Sequence, residues 1–176
     1  MSEDRLILSL NAQSARVLDA IAALQAFVAA PHPGNLDPLT DLRWNFTREM
    51  LLFFARTEKE LLEPMSRDSR PGVADRAARS SRDMAGVYGH FTRHVARWHA
   101  PPGPALWGAY RDAVTVLTRM VAARLASQRQ EIYPLLPVQP GGWPRILTFA
   151  PINYAAEAWK IRALLPALDR HDAAAG

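Results

Sequence analysis

FARTEKELLEP (54–64) and RLASQRQEIYP (124–134) decide how this chain is read. Each closes an amphipathic helix and runs into a proline, which cannot continue the backbone ladder. The phrases align residue by residue: Phe54 with Arg124, Glu58 with Gln128, Pro64 with Pro134. Two such endings mark the second and fourth helices as matching arms of two similar helical hairpins.

Outward from these phrases, helical periodicity dominates. A first helix carries Leu10, Ser14, Val17, Leu18, Ile21, Leu24 and Val28 on one face and stops at PHPG (31–34). The second starts at Asp37-Pro38, an oxygen-bearing side chain followed by a first-turn proline. Its apolar arc holds Leu42, Phe46, Met50, Phe53, Phe54, Thr57 and Leu61. The polar, turn-rich stretch 66–82 reads as a connection running into a third helix with Met84, Val87, Tyr88, Phe91, Val95 and Trp98 inward. PPGP (101–104) ends that helix. The fourth spans about 105–133, with Tyr110, Val114, Leu117, Met120, Val121, Leu125 and Ile132 inward. A proline- and glycine-rich link (134–144) precedes a fifth helix from Ile152 to Leu165. No segment alternates with period two. The expected fold is all-α: an up-down-up-down four-helix bundle over 1–136, with a C-terminal extension over 137–176. That extension packs back on the bundle or forms a dimer interface.

The residues around both phrases resemble the hemerythrin-like family, whose motif runs His, three residues, Glu, five residues, Pro. LRWNFTREML (42–51) and RWHAPPG (97–103) resemble a divergent branch of it. The resemblance implies a two-iron centre held by imidazoles and carboxylates that point inward from several helices. It assigns six ligand positions, occupied in this chain by Ser14, Phe54, Glu58, Met84, Arg124 and Gln128. Glu58 alone is a good iron ligand, and arginine brings a fixed positive charge. The expectation is therefore a metal-free, non-catalytic member that binds a protein partner or a small ligand. A di-iron protein with an altered ligand set is the alternative. Helical angle places Arg124 and Gln128 on the fourth helix's apolar face and Glu58 within that of the second. A buried charge needs a partner, so Arg124 and Glu58 are expected to pair. Gln128 and Ser14 would add hydrogen bonds, and Phe54 and Met84 would fill the volume of the metals.

Composition narrows the rest. The 176 residues are 49% hydrophobic and contain no cysteine, which excludes disulfides and thiolate metal sites. MSEDRLILSLN (1–11) fits neither a secretory signal nor a membrane span, so a cytoplasmic protein is expected. The net charge is +4 and the pI about 10, almost wholly from arginine; Lys59 and Lys160 are the two lysines. Without an aromatic-interleaved basic stripe this reads as a spread basic surface, and nucleic-acid binding through it is the third functional reading, resting on charge alone. The short basic fifth helix (Lys160, Arg162) argues equally little for a membrane.

His90 and His94 have the i, i+4 spacing of paired metal ligands, but they fall at the flank of the third helix beside Arg93 and Arg97. The expectation is a solvated pair. No nucleophile elbow or phosphate loop occurs, and Glu58 and Glu60 point to different helical faces, so no enzyme is expected. Trp44, Trp98 and Trp107 lie near helix ends, where large rings would seal a bundle.

Overall fold

A computed structural model describes residues 3–136 together with Tyr154 and Ala156. Four long helices carry it: α1 (Glu3–Ala29), α2 (Asp37–Thr57), α3 (Val73–Arg97) and α4 (Trp107–Ser127). No strand occurs among the described residues. The expected fifth helix, its link, Trp143, Trp159, Lys160 and Arg162 lie outside those residues, apart from Tyr154 and Ala156, which are both helical.

The helix limits follow local chemistry. The prolines at 31 and 33 prevent α1 from continuing. α2 opens with Pro38 in its first turn, and the Asp37 N–H donates to Asn35 Oδ1 at 2.9 Å. α3 begins earlier than its sequence suggests: residues 73–82 belong to it, and the turn is confined to the chain before Val73. Gly72 has φ of 76°, the left-handed region that glycine enters without strain. A 3-10 turn at Pro104–Leu106 leads into α4.

Both decisive phrases depart from the α-helix in the same way. Glu58–Leu62 and Gln128–Ile132 are π-helical turns, in which the N–H of Glu63 reaches the Glu58 carbonyl and that of Tyr133 reaches Gln128. A proline ring crowds the carbonyl four residues before it and supplies no N–H. At both Pro64 and Pro134 the preceding turn is widened, which relieves that crowding. Such widened turns recur at functional sites.

α1 packs against α2 and α4, α4 also packs against α3, and α3 meets the first hairpin through the Glu58–Leu62 turn. Leu10, Met50, Phe53, Phe54, Leu61, Met84, Phe91, Tyr110 and Val121 are almost fully enclosed. Leu18 is a correction to the expected face, being 41% exposed, while Leu42 and Met120 are half-buried. α2 instead buries polar groups between its apolar ones: Arg43, Thr47 and Glu49. Glu49 joins α2 to α1. Its carboxylate accepts from Gln13 Nε2 at 2.8 Å and Arg16 Nε at 3.3 Å, and from Arg48 Nη2 at 2.8 Å.

Aromatic groups close one end of the helices. Trp98 and Trp107 are buried with ring centroids 5.3 and 5.8 Å from that of Tyr110, as their positions near helix ends implied. Trp44 is half-buried. Trp107 Nε1 donates to the Ala30 carbonyl at 2.8 Å, and a His32 ring nitrogen lies 3.1 Å from the Pro102 carbonyl. These two contacts tie the α1–α2 connection to the α3–α4 connection.

A methyl at Gly72 would meet open space, so its cost is purely conformational. Gly72→Ala should therefore destabilise by about 1 kcal/mol, read from urea unfolding, without altering helix content.

Candidate functional site

The two repeated phrases meet α3 where it carries Ser80 and Ser81. Glu58, on the first π turn, is 6% exposed. Both of its carboxylate oxygens accept from the Ser81 hydroxyl, at 2.9 and 3.0 Å. Arg124, on the last turns of α4, is also 6% exposed. Its guanidinium donates to the Ser80 hydroxyl through Nη2, and to Ser127 Oγ through Nη1 at 3.3 Å. Ser127 in turn donates to Glu131 at 2.9 Å. Gln128, wholly buried, donates from Nε2 to Thr57 Oγ1 at 3.1 Å. Of the buried polar atoms of these side chains, Arg124 Nε, a donor, and Gln128 Oε1, an acceptor, have no partner among the described residues.

The expected Glu58–Arg124 ion pair is corrected by this geometry. The two groups feel each other's charge, but no ion pair joins them among the described residues. Adjacent serines on α3 stand between them, one holding the anion and the other the cation. Burial lowers the Arg124 pKa, and the charges that oppose this are Asp83, then Glu131, then Glu58. Burial raises the Glu58 pKa above 4.5; the Ser81 hydroxyl partly offsets it, Glu63 adds to it and Arg124 opposes it.

Phe54 and Met84 are both 0% exposed. Phe54 meets Tyr154 edge-on at 5.5 Å between ring centroids, and Tyr154 meets Tyr88 at 5.4 Å. Tyr154 is 3% exposed, and burial, followed by the Glu58 charge, pushes its hydroxyl well above the ordinary value. Ser14 is buried but makes no side-chain hydrogen bond to a described residue, against the expectation that it would.

A di-iron centre does not fit these side chains. Phe54, Met84 and Arg124 offer iron neither imidazole nor carboxylate. Among the described residues, no three histidines, cysteines or acids are grouped to hold a metal ion.

The two histidines part company. His90 is exposed, whereas His94 turns inward, its ring 5.9 Å from that of Tyr110, which corrects the expectation of a solvated pair. Burial first, then the nearby charges of Arg43 and Arg97, lower the His94 pKa to about 4.

Ser80, Ser81 and Ser127 escaped the reading by sequence, as did the contact role of Tyr154. A signal for one of them existed: Thr57 and Ser127 occupy the same place in the two phrases, each just before its π turn. The pairing Ser80-Ser81 had none, because its meaning depends on what α3 faces.

No protein-family profile, characterised protein or solved structure matches this chain. The hemerythrin-like resemblance thus stands on the two phrases and the residues around them.

Two titrations follow. The folded-state pKa of Glu58 is raised, so its contribution to stability is full below pH 4.5 and is lost as pH rises through that folded value. Glu58→Gln should remove this slope and raise the melting temperature at neutral pH, since the amide oxygen still accepts from Ser81. The folded-state pKa of His94 is depressed, so its contribution is present above pH 6.5 and is lost as pH falls toward 4. The loss should reach about 3 kcal/mol and vanish in His94→Leu, measured by denaturant unfolding across that range.

Proposed function

We propose that this chain is a metal-free, non-catalytic member of the hemerythrin-like group that works by binding a small polar ligand at the position of the family's metals. Its helices would form an up-down-up-down bundle, with the C-terminal extension as a further helix laid on it. The enclosed Tyr154, held between Phe54 and Tyr88, supports that placement of the extension over a dimer interface. In this reading the protein is cytoplasmic. No helix among the described residues is long and apolar enough to cross a membrane.

One observation carries the ligand reading: Arg124 Nε and Gln128 Oε1, a donor and an acceptor one helical turn apart, are buried without partners among the described residues, while Tyr133 neighbours the Gln128 amide. Leaving such groups unsatisfied costs about 1–3 kcal/mol each. A ligand that presents an acceptor beside a donor satisfies both. The Arg124 charge is already opposed by Asp83, Glu131 and Glu58, so the ligand needs no charge of its own. A primary amide has this edge, its carbonyl accepting from Arg124 and its NH2 donating to Gln128. A protein partner would satisfy the same atoms with an asparagine or glutamine side chain.

Thermal unfolding against a panel of small primary amides, with the matching methyl esters as controls, tests this. The amides should raise the melting temperature and the esters should not, and Gln128→Leu should abolish the difference. Equal effects of amide and ester, or two tightly bound irons per chain by elemental analysis, would sink the reading.

A further inference from the structure

A second polar site lies toward the aromatic end of the helices, away from Glu58 and Arg124. Arg43 on α2 is 7% exposed, and its Nη2 donates to the Trp98 carbonyl. No carboxylate forms an ion pair with it among the described residues. Tyr110 on α4 is 0% exposed, and its hydroxyl has no partner among those residues. Both residues line a cavity of about 20 Å³, and His94 of α3 lines it too. Thr47 is the other polar residue of the wall, and its hydroxyl is already committed to the Arg43 carbonyl at 2.8 Å. Phe46, Phe91, Val95, Val114 and Leu117 are among the apolar residues that complete it.

Three facts bear on what the cavity takes. Its volume suits one water-sized occupant, since about 10–15 Å³ already admits a single water. Its polar wall consists of donors: a guanidinium, a phenol and an imidazole that can offer an N–H. Its charge is positive, from Arg43 with Arg97 nearby, and burial lowers the Arg43 pKa with no carboxylate among the groups that oppose it. A buried cation without a counter-charge is strongly unfavourable. We propose that this cavity is a binding site for a single halide ion, chloride under ordinary conditions, held by the Arg43 guanidinium and the Tyr110 hydroxyl with His94 at its side. The ion supplies the acceptor that the tyrosine lacks and the negative charge that the arginine lacks. A water would satisfy the hydroxyl and leave the charge unbalanced.

Burial pushes the Tyr110 pKa up to about 12, so its hydroxyl keeps its proton and stays a donor at neutral pH. A bound anion would also oppose the fields of Arg43 and Arg97 on His94, making that imidazole easier to protonate.

The test uses the full chain at pH 7.5 in gluconate buffer, with chloride or bromide replacing gluconate at constant ionic strength. The melting temperature should rise and saturate with halide. In Tyr110→Phe the half-saturating concentration should rise about tenfold, the loss of one hydrogen bond to a charged group. Crystals soaked in bromide should show an anomalous peak between Arg43 and Tyr110, a readout that does not depend on the variant folding. A melting temperature indifferent to halide, an unchanged response in Tyr110→Phe, or density for a bound water only would overturn the proposal.

Discussion

Two arginines are buried among these helices, and neither sits directly on a carboxylate. Arg124 is held by the hydroxyls of Ser80 and Ser127, and Arg43 by the carbonyl of Trp98. Guanidinium is weakly hydrated and presents several donors in a fixed fork, so neutral oxygens can hold it where a lysine would fail. The arrangement constrains what surrounds it. Each guanidinium donates to a neutral oxygen, and near each a polar atom is left unanswered among the described residues. Besides the Glu49–Gln13 contact between α1 and α2, the described residues thus enclose polar groups around Arg124 and around Arg43.

The same constraint explains why Glu58 and Arg124 do not close on each other. A direct buried pair would strip both ions of water for a single contact, a trade that often gains nothing. Splitting them across Ser80 and Ser81 gives each a hydroxyl while their fields still overlap. The carboxyl keeps a raised pKa and the guanidinium draws most of its support from Asp83 and Glu131.

The four long helices and much of the core were legible because they depend on periodicity and on breakers; the expected fifth helix lies outside the described residues, apart from Tyr154 and Ala156. The prolines at 31, 33, 64 and 134 each mark a departure from the α-helix near them, and Phe54, Met84, Tyr110 and Val121 lie inside as their spacing implied. Burial of Arg124 and Gln128 was also legible, from their place on an apolar face. What was hidden depends on neighbours from other helices. Arg43 and Glu49 look like surface charges in a polar stretch until Trp98 and Gln13 are placed beside them. His94 looked solvated because its own helix supplies no reason for burial; Tyr110 and Arg43 supply it from α4 and α2. The π turns were invisible too, since each lies at the end of its helix, where few apolar positions follow to reveal the shift in register.

The matched π turns belong to arms that have kept the proline and the small hydroxyl, Thr57 or Ser127, yet have parted in charge. One arm carries Glu58 where the other has Gln128, and the other carries Arg124 where the first has Phe54. Two copies of the first hairpin, brought together as the two hairpins are here, would face carboxylate with carboxylate. Two copies of the second would face guanidinium with guanidinium. Each arrangement is opposed by like-charge repulsion in a poorly hydrated interior. The divergence thus leaves an acid on one arm and a cation on the other, whose fields oppose each other's desolvation without an ion pair between them.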